Sequence, residues 1–200
     1  MNPTTPDLLS FARLLVDGLE EIGSTYMLGG ALAVTAWAEA RSTQDVDLVV
    51  NLPIERAGQF SKMLEARDVL VPPDIILNHL LEDRTDLPLS AIHLYSSQRA
   101  DIFLLHKGDR LRESALSRRR RVDFDKPLGS VWVHSPEDLI LYKLRYFSIG
   151  EQDKHVRDIA AILGALERQI DTGYIETWIH TLGLGEVWVR MQVEVARKLR

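Results

Sequence analysis

The 200-residue chain is long enough for one sizeable hydrophobic core, or for a core domain with a helical appendage. It has no cysteine, which excludes disulfides, thiolate metal sites and cysteine nucleophiles, and its formal net charge of −5 argues against a protein that coats nucleic acids with a basic surface. No stretch is apolar over the ~20 residues of a membrane helix, and the polar N-terminus shows no export signal, so we expect a cytoplasmic protein without membrane contact.

The first third of the chain alternates helices and strands. Apolar residues at helical spacing predict a helix over Leu8–Ile22, and a short apolar run predicts a strand over Thr25–Leu28. An alanine-rich helix over Ala31–Ala40 follows, and β-branched residues then favour a strand over Asp45–Val50. A further helix is predicted over Pro53–Ala66, because proline suits the first turn of a helix.

The middle of the chain has shorter elements. Ile75–Leu81 has the spacing of a helix, and the apolar runs Ala91–Tyr95 and Ala100–Leu105 predict two strands joined by a polar turn. A helix over Arg110–Arg119 and a short strand over Val131–His134 follow.

Helical patterns alone follow Ser135. Its hydroxyl is a good N-cap, proline takes the first helical position, and two acidic residues stand in the first turn, so we expect a helix as far as Phe147. Further helices are predicted at Glu151–Leu166, at Thr172–Leu182 and from Glu186 onward.

The change of pattern at Ser135 defines the expected fold class and domains. We predict an α+β fold in which a mixed β-sheet core over residues 1–134 is flanked by helices. Residues 135–200 are predicted to form an all-helical part packed on that core, because no proline- or glycine-rich linker separates the two.

Two aspartates stand at the start of a predicted strand. Residues two apart in a strand point to the same face, so Asp45 and Asp47 project side by side. Neighbouring carboxylates repel each other, and Mg²⁺ relieves the repulsion while it binds substrate phosphates. A single pair of aspartates two residues apart is more often solvated at the protein surface. Here the apolar strand that follows and the preceding turn Gly29-Gly30, where backbone can approach a phosphate, favour a site.

Asp101 also stands at the start of an apolar strand. If that strand lies beside the Asp45 strand, three carboxylates converge, and they can hold two divalent ions for an in-line displacement at phosphorus. In that scheme Asp45 and Asp47 bind both metals. Asp101 binds the catalytic metal and is a candidate base for the acceptor hydroxyl.

The order of these motifs resembles the nucleotidyltransferase superfamily, which has the polymerase-β-like fold. The shared pattern is Gly29-Gly30, a helix, Arg-x-Thr-x-Asp-x-Asp ending at Asp47, and a later strand that carries Asp101. This resemblance implies that Gly29 and Gly30 contact the triphosphate and that the three aspartates bind Mg²⁺. Many superfamily members have Gly-Ser in place of Gly29-Gly30, so a serine contact to phosphate is missing here.

The second part of the chain is similar to one branch of that superfamily. Ser135–Leu144 and Lys154–Ile159 resemble the abortive-infection branch of AbiEii-type toxins and their uncharacterised relatives. The resemblance covers about Tyr26–Leu163. It implies that Lys143 reaches the nucleotide from the helical part and that Asp158 lies near the same cleft.

Several of these side chains have plainer interpretations. Lys143 can extend from an apolar helix face into water, and Asp158 can pair with Lys154 on the surface. Arg41 can cap the preceding helix or bind an anion of the nucleotide. The run Arg118–Arg121 is a solvated turn or a contact with RNA phosphates.

The leading hypothesis is a Mg²⁺-dependent enzyme that moves a nucleotidyl group from an NTP, ATP among them, to a hydroxyl and releases pyrophosphate. The resemblance implies that the acceptor is a tRNA 3′ end or a protein side chain, and that the chain is the toxin of a toxin–antitoxin pair with an antitoxin protein as partner. The alternative is a non-catalytic protein of the same fold that binds a nucleotide or a partner.

Overall fold

The computed structural model of this chain describes residues 5–39, 42–82 and 86–199. Its contacts divide it into two compact units. The sheet unit comprises Met1–Gly29 and Thr43–Val133, and the helical unit comprises Gly30–Ser42 and His134–Arg200. Residues 30–42 therefore group with the helical unit, whereas the sequence-based division at Ser135 placed them in the first part. No helix in the described ranges is long and apolar enough to cross a membrane.

A mixed six-stranded sheet forms the centre of the sheet unit, with the strand order β3-β4-β2-β1-β6-β5. The strands are β1 Thr25–Leu28, β2 Asp45–Asn51, β3 Leu89–Ile92, β4 Arg99–Leu104, β5 Arg120–Asp123 and β6 Ser130–Val133. β2 is antiparallel to β1 and parallel to β4. The predicted α+β class with a mixed sheet is therefore confirmed.

The α-helices in the described part of the sheet unit are α1 Leu8–Glu21, α3 Ala57–Glu65, α4 Pro73–Leu81 and α5 Arg110–Arg118. The Asp7 carboxylate caps α1 by accepting a hydrogen bond from the Ser10 backbone N–H at 2.8 Å. α1 packs against β1, β2 and α3 through a fully buried stripe that includes Phe11 and Leu15. Each such side chain contributes roughly 1.5–3 kcal/mol by leaving water, which holds this face of the sheet covered.

The helical unit contains α2 Gly30–Val34, α6 Pro136–Gly150, α7 Asp153–Leu166, α8 Thr172–Thr181 and α9 Gly185–Lys198. Ser135 caps α6 as predicted: its hydroxyl accepts from the Asp138 N–H at 3.2 Å and donates to the Asp138 carboxylate at 2.6 Å. α6 packs against α7, α8 and α9, so it is the central helix of the unit. Its buried residues occupy nearly its whole circumference, as expected of a core helix.

Most predicted elements are confirmed to within a few residues, but the second helix is shorter than expected. Ala31–Ala40 was predicted to be helical, whereas α2 ends at Val34. Beyond it the chain tightens into turns in which the Trp37 N–H bonds to the Val34 carbonyl at 2.9 Å. The Trp37 indole then donates to the His134 carbonyl at 2.9 Å, a contact inside the helical unit that alanine content does not reveal.

The arginine run joins a helix to an edge strand. Its interpretation as a turn is wrong, because Arg118 ends α5, whereas Arg120 and Arg121 begin β5, which pairs antiparallel with β6. The guanidinium groups of Arg119 and Arg121 lie 4.5 and 5.6 Å from the centre of the Trp132 ring. Cation–π contacts of this kind are worth about 0.5–1 kcal/mol where they are exposed. The strand was missed because four consecutive arginines show no apolar alternation. Contact with RNA stays an untested alternative.

Candidate active site

Asp45 and Asp47 begin β2 on one face of the sheet. They alternate with the fully buried Val46, and Asp45 is exposed while Asp47 is partly exposed. Because side chains alternate along a strand, the two carboxylates share the face opposite to Val46. The strand therefore places the two carboxylates side by side on one face, as the sequence predicts.

The neighbouring strand brings the third aspartate to the same place. β4 runs parallel to β2, and the register pairs Asp47 with Asp101 and Asp45 with Arg99. Partners in a parallel pair project from the same face, so Asp101 lies beside Asp47. The three acids therefore lie on one side of two adjacent strands in the sheet unit, and their binding of a metal stays a prediction.

Buried residues on the other face fix this register. Val46 and Leu48 on β2, and Ala100 and Ile102 on β4, are all nearly or fully buried. A slip by one residue would expose these apolar side chains and bury the charged ones, so the apolar face holds the acids in place.

Arg99 is joined to Asp101 by a two-pronged ion pair. Its Nη2 lies 2.9 Å from Oδ1 and 3.0 Å from Oδ2 of Asp101, and its Nε lies 3.1 Å from Oδ1. The hydrogen bond and charge of Asp101 raise the pKa of Arg99 above its ordinary value, and the charges of Asp45 and Asp47 add to this. The guanidinium is therefore a counter-ion for the whole acidic cluster.

A hydroxyl from the edge strand completes the surroundings of Asp101. β3 is antiparallel to β4 and pairs Ser90 with Asp101. The Ser90 hydroxyl donates to Oδ1 of Asp101 at 3.0 Å. This second donor restricts the rotation of the carboxylate, so Asp101 is oriented from two neighbouring positions.

The glycine turn is tied to the same strand. The Gly29 N–H donates to the backbone carbonyl of Asp47 at 2.8 Å, which places the end of β1 next to the acids within the sheet unit. Gly30 has a φ of +60°, in the left-handed region, where a side chain would be strained. This backbone requirement explains a glycine at position 30, and phosphate contact by either glycine stays a prediction.

Two solved structures resemble this chain closely enough to define its fold. The solution structure of the antibiotic-resistance factor ANT(2'')-Ia has a TM-score of 0.59 and 15% sequence identity, covering 89% of this chain and 94% of that one. The crystal structure of ANT(2")-Ia in complex with adenylyl-2"-tobramycin has a TM-score of 0.52 and 16% identity, covering 95% and 98% of the two chains. The chain has a nucleotidyltransferase fold. A comparison with known protein families finds no match, and a comparison with curated proteins finds none either.

The nucleotidyltransferase fold raises the question of whether the acids suit a metal. Across the described residues, no group of three or more His, Cys, Asp or Glu side chains is arranged to hold an ion. Mg²⁺ does not require such a cage, since it is commonly bound by one or two carboxylates together with substrate phosphates. Asp45 and Asp47 provide that donor set by their chemistry, whereas the carboxylate of Asp101 is engaged by Arg99.

Two predicted nucleotide-binding residues pair with each other in the helical unit. The ammonium of Lys143 lies 2.7 Å from Oδ2 of Asp158, and the two side chains are only 8% and 2% exposed. Asp158 is buried, so its interpretation as half of a surface pair with Lys154 is wrong, and Lys143 does not extend into water. Contact of either residue with a nucleotide stays a prediction. Arg41 lies outside the described residues.

Arg99 and Ser90 are the site residues that sequence reasoning missed. Arg99 stands one residue before the predicted strand Ala100–Leu105 and two before Asp101. A strand begun one residue earlier would have placed both side chains on one face by alternation. Ser90 carried no such signal, because its proximity to Asp101 depends on the register between β3 and β4.

Proposed function

We propose that this protein transfers a nucleotidyl group from an NTP to a hydroxyl acceptor. The observation that carries the proposal is the β2–β4 register, which sets Asp101 beside Asp47 and two residues from Asp45 on one face of the sheet. The fold shared with ANT(2'')-Ia supports the same activity class. A cluster of carboxylates repels a triphosphate unless a divalent cation binds to both of them. Asp45, Asp47 and Asp101 form a cluster that suits such a cation.

The reaction forms one bond and breaks one. The acceptor oxygen attacks the α-phosphorus, the bond from that phosphorus to the bridging oxygen breaks, and pyrophosphate leaves with the electron pair. Mg²⁺ held by Asp45 and Asp47 would supply charge neutralisation on the phosphate oxygens. Asp101 is positioned by Ser90 beside that pair, and we assign it a share in binding the metal as well as the role of accepting the hydroxyl proton.

The choice of acceptor divides into three classes. The resemblance to AbiEii-type proteins favours a tRNA 3′ end or a protein side chain, and with it a toxin role beside an antitoxin partner. ANT(2")-Ia was solved with adenylyl-2"-tobramycin, which favours a small molecule rich in hydroxyls. The net charge of −5 makes a long nucleic-acid contact less favourable than a small or local acceptor.

Label transfer tests the proposal. The purified chain is incubated with Mg²⁺ and each α-labelled NTP, in separate reactions with total RNA, total protein and aminoglycosides such as tobramycin. We expect one pool to take up label with release of one pyrophosphate per label. Asp47→Asn is the inactive control. Absence of label in every pool, with all four nucleotides, would remove the enzymatic proposal.

One observation favours a second candidate, a non-catalytic nucleotide-binding protein. Arg99 holds both oxygens of Asp101, so the third acid is not free to take part in the arrangement seen here. Binding of a labelled NTP at an affinity that Asp101→Asn leaves unchanged, with no transfer to any pool, would establish this candidate in place of the enzyme.

A further inference from the structure

Arg99 places a positive charge where the proposed reaction requires a metal ion. Its guanidinium contacts both oxygens of Asp101 at 2.9–3.1 Å. In the register it also stands opposite Asp45. The chain thus carries its own cation on the acidic face of β2 and β4.

The stability that this pair provides is too small to explain its position. The Arg99 side chain is 47% exposed and that of Asp101 is 17% exposed. Exposed ion pairs contribute about 0–1 kcal/mol, because water solvates both partners when they separate. The register of β4 is already fixed by its buried residues Ala100 and Ile102. A pair that is dispensable for folding and lies within the acidic cluster is available for a role in binding.

Granting the proposed nucleotidyl transfer, we propose that Arg99 competes with the divalent cation for Asp101 and turns to the triphosphate when the nucleotide binds. The planar guanidinium matches a carboxylate and a phosphate equally well, since each presents two oxygens to its two N–H groups. Its exposed half leaves room for the side chain to rotate. Arg99 is therefore a positioning residue that holds Asp101 until the metal and nucleotide arrive together.

Metal binding without nucleotide tests the first half of this inference. The full chain is titrated with Mn²⁺, which takes the same oxygen ligands as Mg²⁺, and free Mn²⁺ is followed by electron paramagnetic resonance. Arg99→Gln should bind Mn²⁺ about two- to fivefold more tightly than the unchanged chain, the range set by loss of a half-exposed competing ion pair. Arg99→Lys keeps the charge without the two-pronged contact, and its affinity should lie between the two.

Nucleotide binding tests the second half. At saturating Mn²⁺, a non-hydrolysable NTP analogue should bind Arg99→Gln about three- to tenfold more weakly, because a charged hydrogen bond to phosphate is lost. Arg157→Gln is the control for net charge, since Arg157 is an exposed arginine of the helical unit that pairs with Asp153. It should change neither affinity.

The outcomes separate this inference from the function on which it depends. Equal affinity for Mn²⁺ in the unchanged chain and in Arg99→Gln would overturn the proposed competition. An affinity for Mn²⁺ in Arg99→Lys equal to that of the unchanged chain would overturn it as well. An unaltered affinity for the analogue would overturn the contact with triphosphate. Failure of both proteins to bind Mn²⁺ would instead remove the metal from the proposed function, and this inference with it.

Discussion

Each unit of this protein contains a short ion pair between a basic and an acidic side chain, and the two differ mainly in burial. In the sheet unit, Arg99 meets Asp101 at 2.9 Å, with 47% and 17% of the two side chains exposed. In the helical unit, Lys143 meets Asp158 at 2.7 Å, with only 8% and 2% exposed. The distances are alike, so burial rather than geometry decides how easily each pair separates.

This difference separates a contact that can exchange partners from one that cannot. An exposed charge that loses its partner is solvated at once, whereas a buried one loses a partner that water cannot replace. The Arg99–Asp101 pair can therefore give way to a metal and a triphosphate. The Lys143–Asp158 pair instead stabilises the packing of α6 on α7, and any role toward a nucleotide must leave that pairing largely intact.

The largest expected effect is the loss of nucleotidyl transfer when one acid is removed from the cluster of Asp45, Asp47 and Asp101. Asp47→Asn should lower the rate of pyrophosphate release by about 10²–10³-fold or more, since it removes charge that acts on the reacting phosphate. Its melting temperature should stay nearly unchanged, because Asp47 is partly exposed. Asp74→Asn, at an exposed acid in α4, is the matched control and should retain full activity. Wild-type turnover in Asp47→Asn would show that the acids are not the site.

The second effect is on stability and contrasts the two pairs directly. Lys143→Met keeps the length of the side chain but leaves Asp158 charged and buried, so we expect a loss of about 3–5 kcal/mol in the free energy of unfolding. Arg99→Gln should cost less than about 1 kcal/mol. Urea unfolding of the two variants measures both values. Similar losses would mean that burial does not distinguish the pairs.

A third effect is on the pH dependence of the sheet unit. The Glu20 carboxylate accepts from the Tyr26 hydroxyl at 2.7 Å and from Arg13 at 3.0 Å. Although burial opposes it, these hydrogen bonds lower the pKa of Glu20. A lowered pKa in the folded state gives stability that is present above the ordinary glutamate pKa and is lost as the pH falls through the acid range.

Glu20→Gln should therefore be less stable than the unchanged chain by about 1 kcal/mol at pH 7, and the difference should shrink toward zero on acidification. Urea unfolding at a series of pH values measures it. A difference that stays constant from pH 7 to pH 3 would show that the contacts of Glu20 do not depend on its charge.

The smallest effect concerns an exposed pair within the helical unit. Arg157 and Asp153 are four residues apart on α7, 3.1 Å from each other and more than half exposed. Arg157→Ala should change the free energy of unfolding by less than about 0.5 kcal/mol. A loss of unfolding free energy as large as that of Lys143→Met would mean that ion pairs stabilise the helical unit whether or not they are buried.

The central part of the candidate site could be predicted because it depends on local periodicity. Asp45 and Asp47 alternate with apolar residues along one strand, so their common face follows from strand geometry. The cap at Ser135 was equally visible, since it depends on a backbone N–H three residues away. The place of Asp101 beside the two aspartates depends on the pairing of β2 with β4, which the sequence analysis could state only as a condition.

The partners of charged side chains could not be predicted in the same way. The plainer interpretation of Asp158 paired it with Lys154 one helical turn away, but it pairs with Lys143 on the neighbouring helix α6. Local spacing favours the first choice, and only the packing of two helices determines the second. The edge strand β5 was missed for a similar reason, because its pairing with β6 and the contact of Arg121 with Trp132 are not visible in the pattern of the arginine run.

Crystals of the full chain grown with Mn²⁺ and a non-hydrolysable NTP would show most directly whether the acids bind a metal. Anomalous scattering at the manganese edge should give a peak among Asp45, Asp47, Asp101 and the phosphates, with the Arg99 guanidinium moved from Asp101 to the triphosphate. Density for the nucleotide elsewhere in the chain, or bound nucleotide without manganese at these aspartates, would contradict the proposal.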